Sequence, residues 1–148
     1  MTLSTLLVAV GPGDADRVDA LATAVNDVAV PTGARVVLLH VFEEDDFEGV
    51  RERLDQSDAS PTAAARRQKT VRDLTAAFDD ADVAYDVRGR VGNKSDAIVS
   101  AAEDVDADRV FVAGRDRSPT GKAVFGSTAQ SVMLSAPCPV TFVRAGTS

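Results

Sequence analysis

Val110 to Thr128 reads VFVAGRDRSPTGKAVFGST, and the fold turns on how this stretch is parsed. It opens as a short apolar run fit for a buried strand, which Gly114 ends. A loop carrying Arg115, Asp116, Arg117 and Lys122 follows, and Gly126-Ser127-Thr128 stands where a helix should begin. A helix start leaves backbone N–H groups unpaired, with the positive end of the macrodipole behind them, so phosphate or carboxylate binds there readily. Gly126 lets a ligand approach the backbone, and the hydroxyls of Ser127 and Thr128 can cap the helix or donate to phosphate oxygens. An ordinary capped helix after a polar loop has the same residues, and both readings stay open at this point.

Outward from that stretch, apolar strands alternate with amphipathic helices. Leu3 to Val10 (LSTLLVAV) lacks clean alternation, as expected of a central parallel strand covered on both faces, and Gly11-Pro12-Gly13 ends it. Asp14 or Asp16 can cap a helix whose Val18, Leu21, Ala22, Val25 and Val28 keep helical spacing, with Pro31 as its stop. Ala34 to Phe42 is the second strand, so the two form a right-handed βαβ unit. Glu43 to Ser60 is acidic and reads as a surface excursion with at most a helical turn around Glu48 to Leu54.

Ser60-Pro61 opens a helix to about Asp80 with Ala64, Val71, Leu74 and Phe78 inward. Its Arg66, Arg67, Lys69 and Arg72 read as a solvated face. Val83 to Val91 is the third strand, Gly92-Asn93 a turn, and Ser95 the cap of a helix through Ile98, Val99, Ala102 and Val105. Arg109 to Ala113 is the fourth strand. A helix from Gly126 to about Ser135 and a last strand, Val140 to Val143, complete the chain. This order predicts one α/β domain over residues 1–148, an open doubly wound five-stranded parallel sheet with helices on both faces. If the strand order is 3-2-1-4-5, the ligand crevice lies between strands 1 and 4, flanked by Gly11 to Asp14 and Gly114 to Phe125.

Composition narrows the function. A chain of 148 residues suffices for one domain that buries about 70% of the surface its unfolded form would expose. The net charge of −7, carried mostly by Asp, with Lys69, Lys94 and Lys122 as the lysines, resembles the surface of proteins from salt-accumulating halophiles. It argues against nucleic acid as a partner. No apolar run approaches the ~18 residues of a membrane span, and MTLSTLLVAVGPG lacks a basic leader, so a cytoplasmic protein is expected. The lone Cys138 precludes an internal disulfide or a thiolate cluster and reads as a small buried apolar residue. Gly121-Lys122-Ala123 lacks the Ser/Thr of a P-loop, and Gly11-Pro12-Gly13 lacks the third glycine of a dinucleotide fingerprint. His40, at the end of an apolar strand, reads as a satisfied core or strand-end histidine rather than a base. No catalytic residue or metal ligand is assigned.

The whole chain resembles a single-domain universal stress protein: LLVAV as strand 1, VVLLHVF as strand 2, RVGN after strand 3, and VFVAGRDRSPTGKAVFGSTAQSVMLSAPCPVTFVR to the end. The resemblance implies the strand order 3-2-1-4-5, a homodimer paired through the edge strand Val140 to Val143, and an adenine nucleotide, ATP or AMP, in the crevice. The ATP-binding branch carries G-x2-G-x9-G-[ST] after strand 4. Here Gly126-Ser127 matches, while Ala113 and Asp116 stand at the two earlier glycines, with Gly114 displaced by one. Gly11 stands where that branch places an Asp, and the backbone contact to adenine falls on Val41. Arg115 and Arg117 can replace glycine amides by gripping phosphate oxygens through their forks. The candidate nucleotide-binding residues are therefore Gly11, Val41, Gly114, Arg115, Arg117, Gly126, Ser127 and Thr128. The function expected is a non-catalytic stress-response or regulatory module. The alternatives are a slow nucleotide hydrolase using the Gly114 to Thr128 loop and a flavin-carrying electron-transfer module.

Overall fold

A computed structural model of the chain describes residues 3–54, 60–114 and 126–144. Five strands, β1 (Thr5–Val10), β2 (Arg35–Phe42), β3 (Tyr85–Val91), β4 (Arg109–Gly114) and β5 (Val140–Arg144), form one sheet in the order β3-β2-β1-β4-β5. Every neighbouring pair is parallel, as the expected order requires. Six helices connect them: α1 (Val18–Thr32), α2 (Glu44–Leu54), α3 (Pro61–Arg66), α4 (Lys69–Asp80), α5 (Lys94–Asp104) and α6 (Ser127–Ser135).

Strand alternation divides the core into two layers. Leu6, Val8 and Val10 of β1 and Val36, Leu38 and Phe42 of β2 pack with Leu21 and Val25 of α1 and Val71, Leu74 and Phe78 of α4. Leu7, Ala9, Val37, Leu39, Val41, Val110 and Val112 face the other way, with Ile98 and Ala102 of α5 and Val132 of α6. Each such side chain contributes roughly 1.5–3 kcal/mol on burial, which explains why the central strands tolerate no polar alternation. The carboxylate of Asp108 accepts from the N–H groups of Ser4 (2.8 Å) and Thr5 (3.0 Å), tying the start of β1 to that of β4.

Local structure departs from expectation at five places. Pro31 does not stop α1, which runs one residue further. The last turn is closed by the Thr32 hydroxyl donating to the Val28 carbonyl (2.7 Å) and by Gly33 N–H donating to Ala29 (2.9 Å). Asp14 does not begin α1; a 3₁₀ turn, Pro12–Arg17, comes first, and Asp14 stands inside it. The acidic excursion holds an eleven-residue helix, α2, whose first turn carries Glu44, Asp45 and Asp46, favourable charges at a helix N-terminus.

The helix opened by Ser60, whose Oγ accepts from Ala63 N–H at 3.0 Å, is broken into α3 and α4 at Arg67 and Gln68. α3 lies on β3 so closely that a Cβ on Gly89 would collide with the Pro61 carbonyl oxygen. Gly89 N–H donates to the Thr62 hydroxyl at 3.2 Å, and α4 must turn away to reach α1. The cap of α5 is Asn93, which accepts from Asp96 N–H at 3.1 Å, while Ser95 donates to Asn93 Oδ1. Among the described residues, no helix is long and apolar enough to cross a membrane.

Candidate functional site

β1 and β4 are adjacent, yet their following helices leave to opposite faces of the sheet, so their carboxyl ends open a crevice. A cavity of about 430 Å³ occupies it. Its floor is apolar: Ala9 of β1, Val41 of β2, Val112 of β4, Ile98 of α5 and Phe142 of β5. Its rim is polar, with Asp14 and Arg17 from the 3₁₀ turn, Lys94 from the start of α5, and Ser127 and Thr128 from the start of α6. That volume lies within the range of small-ligand sites. A second, polar cavity of about 360 Å³ is lined by Glu43, Asn93, Ser95 and Ser131 and shares Lys94, Ser127 and Thr128 with the first.

The rim is electrostatically one-sided. Asp14 accepts from Gly11 N–H through Oδ2 (2.9 Å) and pairs through Oδ1 with Arg17 Nη1 (2.7 Å), so its charge is already engaged. Arg17 Nε, 4.0 Å from an Asp16 oxygen, is buried without a hydrogen-bond partner. The Lys94 ammonium stands 4.0 Å from Glu43 Oε1, too far for a hydrogen bond. α6 begins with Gly126 as its N-cap, and no side chain caps it. The Ser127 and Thr128 hydroxyls are thus not spent as caps, and the first N–H groups of α6 belong to the same wall.

Six of the eight candidate residues, Gly11, Val41, Gly114, Gly126, Ser127 and Thr128, line the main cavity together. Arg115 and Arg117 lie outside the described residues. A Cβ on Gly114 would meet the Phe142 ring at 3.0 Å, so a side chain there requires that ring to shift. Asp14, Arg17, Lys94 and Phe142 were not among the candidates. Lys94 had a signal in the sequence: it follows the Gly92-Asn93 turn at the carboxyl end of strand 3, the end at which ligands of such sheets sit.

His40 corrects the expectation of a satisfied histidine. It is 1% exposed on the α1 side of β2, lies against Phe42 with the rings tilted by 40° and their centroids 4.4 Å apart, and has no hydrogen-bond partner on either ring nitrogen. Burial, and secondarily the Lys94 charge, lower its pKa to about 4, so the ring is neutral near pH 7. It lines neither cavity.

The fold and its crevice define an open parallel α/β protein with a cavity at the strand-order switch. The model of the universal stress protein family matches residues 2–144, and the chain belongs to that family. It is 33% identical over 88 residues to a universal stress protein of Mycolicibacterium smegmatis, covering 59% of this chain and 68% of that one. Two solved structures share the fold. The universal stress protein from Archaeoglobus fulgidus in complex with dAMP has a TM-score of 0.65 at 20% identity, with 97% of this chain and 100% of that chain covered. A universal stress protein family protein from Arabidopsis thaliana with AMP bound has a TM-score of 0.64 at 16% identity, with 97% and 92% covered.

Proposed function

We propose that residues 1–148 act as one universal-stress-type domain, a non-catalytic regulatory module that works in the cytoplasm as a homodimer. In this reading the β1/β4 crevice holds an adenine nucleotide, ATP or AMP, on Gly11, Val41, Gly114, Gly126, Ser127 and Thr128, with Arg115 and Arg117 as further phosphate-binding residues. The observation that carries it is the cavity itself: about 430 Å³, apolar beneath and cationic at the rim, at the one strand-order switch of the sheet. An adenine ring needs the first property and a phosphate the second. The dAMP and AMP complexes of two proteins with the same fold support the choice of base.

A non-catalytic role is favoured over hydrolysis because Asp14, the one carboxylate lining the main cavity among the described residues, is held by Arg17 and the Gly11 amide. Such a carboxylate is poorly placed to take a proton from water. The acidic surface suits a salt-rich cytoplasm, in which case the thermal midpoint rises with KCl. The test is to denature freshly purified protein, prepared in molar KCl, and assay the supernatant for nucleotide. Near-stoichiometric adenine nucleotide is expected. A supernatant free of nucleotide, from protein that also ignores added AMP and ATP, would refute the reading.

A further inference from the structure

We infer that Lys94 is the specificity-determining cation of this site: its ammonium reads the ligand's phosphate and makes the cavity prefer AMP to uncharged adenosine. The inference rests on the nucleotide reading above.

Lys94 is the first residue of α5, where the positive end of the helix macrodipole disfavours a cation. Its presence there works against the helix, and a residue that breaks a local rule without a structural return points to a ligand. Nor does the side chain extend freely into water. It is 34% exposed, and its Nζ lies 3.7 Å from the position a Cβ on Gly11 would take, over the end of β1. The ammonium thus lies in contact range of the end of β1.

The charge at that point is poorly neutralised. Glu43, 65% exposed, approaches no closer than 4.0 Å, a distance at which an exposed pair contributes little. Asp14 is engaged by Arg17. Lys94, Ser127 and Thr128 are the residues that line both the apolar cavity and the polar one beside it. A ligand with its ring in the first and its anion toward the second places that anion between the ammonium and the two hydroxyls. Arg17, buried at Nε, forms a close ion pair with Asp14, which leaves Lys94 as the weakly paired cation of this wall among the described residues.

The experiment is calorimetric titration of nucleotide-free protein with AMP and with adenosine at low ionic strength, for the wild type, Lys94→Met, Lys94→Arg and Glu43→Gln. Lys94→Met is expected to weaken AMP about tenfold while adenosine changes by less than about twofold. Lys94→Arg should keep most of the preference, and Glu43→Gln should increase it. The ligand-free midpoint of Lys94→Met should equal or exceed that of the wild type, separating this role from a structural one. An unchanged AMP-to-adenosine ratio in Lys94→Met, or equal loss of both ligands, overturns the role of Lys94 and leaves the nucleotide reading standing. A wild type that binds neither ligand overturns the role of Lys94, and one that ignores ATP as well overturns the nucleotide reading.

Discussion

His40 shows how a residue can be fixed by burial and yet remain chemically unsatisfied. Its neutral ring sits among apolar neighbours with a pKa lowered to about 4, whereas the unfolded chain takes up the proton near 6.5. Between those values the unfolded state binds more protons, so stability is whole above about pH 6.5 and falls as the pH drops toward 4. The loss over that window is on the order of 3 kcal/mol. His40→Leu should flatten this limb of the stability-against-pH curve measured by urea unfolding. It should also gain about 1 kcal/mol at pH 7, since two unpaired buried nitrogens disappear. An unchanged slope would mean other groups set the acid limb. The sequence showed His40 as a strand residue but could not show its partners, because those depend on which helix covers that face. For the same reason Gly11, Val41 and Gly114 were legible as strand-end residues, and Lys94 only as a residue at the carboxyl end of strand 3: its reach over β1 depends on how α5 crosses the sheet.

At the scale of elements, the strands were the most legible part. Buried runs such as VVLLHV have no alternative home, and Pro12, Gly92 and Gly114 punctuate them. The break between α3 and α4 was hidden, since residues 62–70 contain neither Gly nor Pro. It follows from the approach of α3 to Gly89, a tertiary contact. The edge of β5 carries the dimer proposal. Val110 N–H donates to the Pro139 carbonyl at 3.0 Å, and strand alternation then turns the amide of Val140 away from β4. Beside that edge α6 exposes Leu134, 88% accessible, and Met133. Such an edge invites antiparallel pairing with its own copy. Val140→Pro removes one outward donor and no bond to β4, so light scattering should show a dimeric wild type and a monomeric variant. A monomeric wild type, or an unaltered dimer in the variant, would contradict pairing through β5.

For the whole molecule, the proposed function places an adenine nucleotide in the β1/β4 crevice. Ala113 lines that cavity at the end of β4 and, partly buried, packs against the core layer beneath α1, so a larger side chain there is read only in protein whose ligand-free midpoint is retained. The measurement is the thermal midpoint of nucleotide-free wild type and Ala113→Phe with AMP at about 100 times its dissociation constant, where binding adds about 2.7 kcal/mol. The wild type should gain roughly 5–10 °C, and Ala113→Phe, folded and of similar midpoint without ligand, should gain nothing. No shift in the wild type, or a full shift in Ala113→Phe, would contradict the placement of the nucleotide between β1 and β4.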